Sequence, residues 1–177
     1  MKPNTASFMP KDLDAVYGNF LSTLNDFRQN LKASPLPLFS TSVARADDLI
    51  DIERAVKKLE GFSKIIILGT GGSSLGAQAL VQIAGWGTAA GLAHGRDIHF
   101  LDNLSAYEME AVLNQETLSE TAFIAVSKSG ETAETLMQFS CALTALEANQ
   151  LDPASHIICL TENTENTLRQ LAEKYAM

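Results

Sequence analysis

Positive charge is scarce in this sequence. Lysine and arginine number 13 against 21 aspartates and glutamates, which gives a formal net charge of −8. No basic run interrupts this composition, and aromatic residues make up only 7% of the chain. Nucleic-acid-binding surfaces need clustered cations, often with aromatic side chains for stacking. The composition therefore argues against nucleic acid and anionic membranes as partners, although a local site can still attract a small anion.

Long apolar runs and cysteine pairs are also missing. No stretch approaches the roughly 20 apolar residues that a membrane-spanning helix needs, and the N-terminus lacks the uninterrupted apolar segment of a signal peptide. Cys141 and Cys159 form no CxxC pair, and the three histidines have no metal-ligand spacing. We therefore expect a cytoplasmic protein with no metal and no cofactor.

The first third of the chain has the periodicity of helices. Apolar residues recur at spacings of three and four from Val16 to Leu31, which predicts an amphipathic helix. Pro35 and Pro37 interrupt this pattern, and Gly61 ends a second predicted helix. We expect an N-terminal helical segment over residues 1–61.

From Lys64 onward, short apolar runs alternate with amphipathic segments. The predicted strands are 64–69, 97–102, 121–127 and 155–161, and the predicted helices are about 74–86, 105–115, 131–149 and 164–175. Continuous apolar strands separated by helices predict a parallel sheet covered on both faces. Residues 62–177 should form this α/β domain. Because a sheet that ends after a helix often lacks its next strand, we expect a domain truncated on its C-terminal side.

The stretch "LGTGGSSLG" follows the first predicted strand and opens a helix. Ligands of open α/β sheets bind at this end of the strands. The glycines, Gly72 among them, let the backbone approach a ligand closely, and the helix amides with the hydroxyls of Ser73 and Ser74 can donate to an anion. The alternative is a tight turn with serine caps.

A second stretch, "VSKSGETAET", follows the third predicted strand in the same way. Ser127, Ser129 and Thr132 supply hydroxyls, Gly130 supplies backbone freedom and Lys128 supplies a positive charge. The dipole of the following helix adds partial positive charge at its start. If the two strands are adjacent, both loops converge on one anion, and a phosphate has enough oxygens to accept from both.

One motif favours a different chemistry. "GSSLG" satisfies the GxSxG pattern of serine hydrolases, with Ser74 as nucleophile and with Asp102 and His156 following in the expected order. This pattern is short, and it leaves the second loop unexplained. Glu131 and Glu134 complement the helix dipole, and next to a phosphate neither is an attractive general base.

The two loops together, in this order, resemble those of the sugar isomerase (SIS) domain, and more closely those of the glucose-6-phosphate isomerase family. The resemblance covers about residues 62–175 and includes "LDN" at 101–103. It implies a three-layer αβα sandwich with a parallel, flavodoxin-like sheet, preceded by N-terminal helices. It also implies an isomerase that interconverts glucose 6-phosphate and fructose 6-phosphate through an enediol, as a homodimer in the full-length protein.

The resemblance also implies roles for individual residues. Gly72 and Ser73 would meet the substrate, and one loop would grip its phosphate. That loop consists of Ser127, Lys128, Ser129, Gly130, Glu131 and Thr132. Three positions depart from the family pattern: Thr70 replaces an isoleucine, Ala77 a proline, and Glu131 stands where many members have threonine.

The catalytic groups of the family are not found in this sequence. Its glutamate base and the assisting histidine, arginine and lysine come from downstream, where the family has a GGR[FY]S segment, and "GGR" does not occur here. We therefore expect the phosphate-binding part of an isomerase without its base. The alternative is a stand-alone SIS module that binds a sugar phosphate and regulates.

Overall fold

The computed structural model describes residues 21–23, 25, 26, 29, 49–85 and 96–177. The chain divides into two compact units, Met1–Ile50 and Asp51–Met177. The described residues between 21 and 29 are helical, as the periodicity predicts, and the two prolines lie outside the described residues. The predicted division at residues 61 and 62 stays a prediction. Within the described part, no helix is long and apolar enough to cross a membrane.

Helices and strands alternate from residue 49 onward. In chain order they are α1 (Leu49–Leu59), β1 (Lys64–Leu68), α2 (Gly72–Ile83), β2 (Asp97–Leu101), α3 (Ala106–Val112), α4 (Gln115–Leu118), β3 (Thr121–Val126), α5 (Ala133–Ala148), α6 (Pro153–His156), β4 (Ile157–Leu160) and α7 (Thr167–Lys174).

The four strands form one parallel sheet in the order β2-β1-β3-β4. Ile65 pairs with Ile98 on one side and with Ala122 on the other, and Phe123 pairs with Ile157. Residues 65–68 of β1 are buried because β1 is a central strand with neighbours on both sides. The predicted α/β fold with a parallel sheet and intervening helices is confirmed.

The core lies between the sheet and the helices that cover it. Phe123 of β3 and Phe139 of α5 are fully buried, and Ile66, Leu68 and Leu146 join them. Burying an aliphatic side chain of this size contributes about 1.5–3 kcal/mol. The sheet is thereby fixed, and with it the positions of the loops that follow its strands.

Helix boundaries depart from the predictions where a polar N-cap residue begins an additional short helix. Ser105 caps α3, since its Oγ accepts from the amide of Glu108 at 3.3 Å. The helix expected over 105–115 is in fact α3 and α4, because Asn114 caps the second of them. Asp152 likewise caps the short α6, so that β4 begins at Ile157 instead of residue 155.

Candidate functional site

The two glycine–hydroxyl loops lie side by side, because β1 and β3 are neighbours and the loops follow the carboxyl ends of these strands. The first loop is the stretch "LGTGGSSLG" (68–76), and the second loop is the stretch "VSKSGETAET" (126–135). The contact between them is tight at Gly69. A methyl group added there would lie 3.0 Å from the carbonyl oxygen of Val126 and 3.2 Å from Cβ of Ser73. A larger residue at this position would have to push these atoms aside, so glycine suits the close approach of the first loop to the end of β3.

The first loop turns into α2 through Gly71. Its backbone has φ 53° and ψ −124°, a conformation that suits glycine. The amides of Ser73 and Ser74 are bonded to the carbonyls of Thr70 and Gly71. Within the described part of the chain, the amide of Gly72 and the half-exposed hydroxyl of Ser73 have no partner. This corner therefore presents donors to solvent.

The residues of the hydrolase alternative do not form a triad. Ser74 is fully buried, and its Oγ accepts from Nε2 of Gln78 at 2.7 Å. The same Nε2 also donates to Oδ2 of Asp102 at 3.4 Å. Nδ1 of His156 lies 2.8 Å from the carbonyl oxygen of Thr121, which starts β3. His156 thus lies at the amino edge of the sheet and Ser74 at the carboxyl edge, so the hydrolase interpretation is wrong.

The second loop uses one of its hydroxyls internally. Ser127 is buried, and its Oγ accepts from the amide of Gly130 at 3.1 Å and donates to Oγ1 of Thr132 at 3.0 Å. Ser129 is exposed, and its Oγ accepts from the amide of Glu131 at 3.2 Å. A hydroxyl that only accepts still has its own proton to donate. The donors left over are therefore Ser129 and Thr132, whereas Ser127 shapes the loop.

Side-chain caps distinguish α2 and α5 from the other helices whose N-cap is described. The N-cap side chains that bond their own helix are Ser105, Asn114, Asp152 and Asn166. The N-caps of α2 and α5, which are Gly71 and Thr132, form no such bond. The first amides of these two helices consequently lack a side-chain partner, and helix dipoles add partial positive charge to them. Both helix starts lie at the ends of adjacent strands, an arrangement suited to an anion.

The two charged residues of the second loop make contacts outside it. Nζ of Lys128 lies 3.6 Å from a carboxylate oxygen of Glu162 and remains largely exposed. Glu131 accepts from the amide of Thr167 at 2.6 Å and from its hydroxyl at 2.8 Å. These two hydrogen bonds lower the pKa of Glu131 from its usual value, and the one from the amide of Thr167 has the larger effect. The carboxylate is therefore satisfied at the start of α7.

Sequence reasoning missed the segment that supports the second loop from outside. Gly130 has φ 67°, and a side chain added there would overlap the side chain of Asn166, which is itself buried. The carbonyl of Gly130 also accepts from the amide of Leu168 at 3.1 Å. Asn166 is recognisable in the sequence as a helix cap before Arg169. Its contact with Gly130 depends on tertiary structure, which the local pattern does not contain.

The cavities along α5 lie away from both loops. A groove of about 480 Å³ runs past Met137 and Cys141, and a smaller one of about 290 Å³ meets it at the same two residues. The loops themselves form an exposed corner, with Gly72, Ser129 and Glu131 open to solvent. Among the described residues, no cluster of three or more potential metal ligands occurs.

Comparison with known protein families gives a match over most of the chain. Residues 53–172 match the family model described as phosphoglucose isomerase. A probable glucose-6-phosphate isomerase of Haloquadratum walsbyi is 36% identical over 130 residues, which are 73% of this chain and 29% of that protein. The glucose-6-phosphate isomerase of Carboxydothermus hydrogenoformans is 27% identical over 169 residues, which are 92% of this chain and 36% of that protein. The chain thus spans about a third of the length of these relatives.

Solved structures share the fold. A hypothetical protein, TT0462, from Thermus thermophilus superposes with a TM-score of 0.64 at 24% identity, over 94% of this chain and 40% of that one. A glucose-6-phosphate isomerase from Chlamydia trachomatis gives a TM-score of 0.53 at 24% identity, over 66% of this chain and 22% of that one. At this level of identity the likeness supports the α/β fold.

Proposed function

The chain belongs to the phosphoglucose isomerase family, and on that basis we propose that it is the sugar-phosphate-binding part of a glucose-6-phosphate isomerase. One observation carries the proposal: α2 and α5 begin without side-chain caps at the ends of adjacent strands. The unpaired amide of Gly72, the uncapped first amides of α5 and the nearby hydroxyls offer several donors to one small anion. The phosphate of glucose 6-phosphate or fructose 6-phosphate is such an anion.

Each loop has a part in this binding. In the first loop, the amide of Gly72 and the hydroxyl of Ser73 donate to the substrate. In the second, the hydroxyls of Ser129 and Thr132 donate to the phosphate, and the exposed Lys128 adds positive charge. Ser127 and Gly130 keep the second loop in the shape that aims these donors. Hydrogen bonds to a charged group contribute roughly 1.5–3 kcal/mol each, and less where water competes.

The negative charge of the protein does not prevent this binding. The net charge of −8 acts over the whole molecule, whereas salt screens exposed charges beyond about 8 Å at physiological ionic strength. The uncapped amides and hydroxyls would touch the phosphate oxygens directly. Contact with the local donors therefore outweighs the average charge.

Binding and turnover are separate in this proposal. Moving a proton between C1 and C2 of the sugar needs a base, and the sequence lacks the GGR segment that marks the family's downstream catalytic part. We therefore expect the 177-residue chain to bind sugar phosphate without isomerising it. Homodimerisation of the full-length protein and a cytoplasmic location belong to the same proposal. A stand-alone regulatory SIS module would use the same site, and the downstream reading frame distinguishes the two.

The test is a titration of the isotope-labelled chain with glucose 6-phosphate, followed by NMR, beside a coupled isomerase assay. We expect shifts at residues 71–73 and 127–132 with a millimolar dissociation constant, about −4 kcal/mol, because the corner is open to water. Ser129→Ala with Thr132→Ala should remove most of the binding. The matched control is Ser140→Ala with Thr144→Ala, since these exposed hydroxyls of α5 bond only carbonyls of their own helix.

Two results would count against the proposal. Shifts confined to residues away from both loops would show that the site is misplaced. Isomerase turnover by the pure 177-residue protein would show that the chain carries its own base.

A further inference from the structure

Glu131 joins the second loop to α7. Its two carboxylate oxygens take the amide and the hydroxyl of Thr167, which lies 36 residues away in the sequence. Thr167 is the first residue of α7, where backbone amides have no partner within the helix. The carboxylate therefore meets both a matching pair of donors and the positive end of a helix dipole.

Backbone hydrogen bonds also connect the second loop with residues 162–168; we call this connection the joint. The amide of Glu162 donates to the carbonyl of Lys128 at 3.2 Å, and the amide of Leu168 donates to the carbonyl of Gly130 at 3.1 Å. Glu131 lies between Ser129 and Thr132 in the sequence, and its side chain adds a contact from this part of the loop to Thr167. Ser129 and Thr132 are the two residues whose hydroxyl protons are available to a ligand. Its position makes it able to fix the spacing of those two hydroxyls.

Simple electrostatics gives the opposite expectation for this residue. A carboxylate in a phosphate-binding loop repels the ligand, so that its removal should tighten binding. The bonds to Thr167 hold this charge at the start of α7. The other charged groups of the joint are Lys128 and Glu162, 3.6 Å apart, and Arg169, whose Nη2 donates to the carbonyl of Glu162 at 3.2 Å. The sign of the effect therefore distinguishes repulsion from positioning.

We propose that Glu131 is a positioning residue for anion binding: by fastening the loop to Thr167 it holds the hydroxyls of Ser129 and Thr132 in place. This inference rests on the proposed function, because the anion is the phosphate of a sugar phosphate. It concerns a carboxylate side chain, which cannot itself donate to the ligand. Its effect must therefore pass through the order of the loop.

The test compares two variants that remove the same charge three residues apart. Glu131→Gln replaces the bidentate acceptor. Glu134→Gln is the control, since Glu134 is exposed and its side chain has no bond within the described part of the chain. Titrating the 177-residue chain with glucose 6-phosphate and with sulfate, we expect Glu131→Gln to weaken binding about twofold to fivefold, an effect of the size that exposed interactions of one charged group have. Glu134→Gln should leave binding unchanged or tighter.

Variants of the partner residue make the test specific. Thr167→Val removes the hydroxyl and keeps the amide, so it should weaken binding less than Glu131→Gln does. Thr167→Ser keeps both donors and should bind with the affinity of the wild type. The amide resonance of Thr167 should move upfield in Glu131→Gln, because its carboxylate partner is gone. The amides of Ser129 and Gly130 should become more mobile in NMR relaxation.

Tighter binding by Glu131→Gln, or an effect equal to that of Glu134→Gln, would overturn the proposal in favour of repulsion. Failure of the proposed function looks different, because the wild-type chain itself would then show no shifts at either loop. In that case, loop amides equally ordered in wild type and in Glu131→Gln would overturn the positioning role independently of any ligand.

Discussion

The hydroxyl of Ser127 donates to Oγ1 of Thr132 across 3.0 Å while accepting from the amide of Gly130. This relay uses the proton of the buried serine inside the loop and leaves the proton of Thr132 free. The threonine is thereby not a cap for α5, although it occupies the N-cap position. The relay explains how a hydroxyl at a helix start stays available to a ligand.

The relay predicts unequal costs for its two members. Thr132→Val keeps the shape of the side chain and leaves the buried hydroxyl of Ser127 without an acceptor, which costs about 1–3 kcal/mol. Ser127→Ala removes that hydroxyl altogether. Because the amide of Gly130 still has the carbonyl of Ser127 at 3.2 Å, this variant should cost only about 0.5–1.5 kcal/mol. Urea unfolding of both variants gives the comparison, and the reverse order would contradict the relay.

Substitution of Gly130 should lower the stability of the fold more than either of these variants does. An added methyl group meets the side chain of Asn166 and must also adopt a positive φ. Left-handed backbone costs about 1–2 kcal/mol for other residues, and overpacking costs about 1–3 kcal/mol more. We expect Gly130→Ala to lower the free energy of unfolding by about 2–5 kcal/mol. Gly61→Ala is the control, because a methyl group there meets nothing within 4 Å. Equal melting temperatures for both variants would refute the argument.

The sequence predicts the parts of this molecule that depend on local patterns. Apolar runs predict the four described strands to within about two residues, and glycine–hydroxyl motifs indicate the two strand ends that we propose as the site. The contact between Gly130 and Asn166 could not be predicted, because the two residues meet only after β4 pairs with β3. The contact of the Glu131 carboxylate with Thr167 could not be predicted for the same reason, since it also depends on tertiary structure. Neither a helix dipole nor a motif indicates that an acid in one loop caps a helix 36 residues later.

The two cysteines should differ in reactivity. Burial raises the pKa of Cys159 to about 11, partly offset by the nearby Lys58, whereas Cys141 is exposed on α5. At pH 8 only about one Cys159 thiol in a thousand is then a thiolate, the form that reacts. Mass spectrometry after brief iodoacetamide treatment should find Cys141 modified first. In Cys141→Ser, modification of Cys159 should accelerate about tenfold per pH unit between 8 and 10. A rate independent of pH would contradict the raised pKa.

Gly72 separates binding from stability. It is the first residue of α2, and a methyl group added there meets nothing within 4 Å. Alanine is the better helix former, by up to about 1 kcal/mol, so Gly72→Ala should unfold no more easily than the wild type. The methyl group would nevertheless stand beside the unpaired amide that we propose for the substrate. Glucose 6-phosphate should therefore bind Gly72→Ala several-fold more weakly in the NMR titration, about the loss of one exposed hydrogen bond. Undiminished affinity in a fully folded variant would remove the first loop from the proposed site and leave the second loop to hold the phosphate alone.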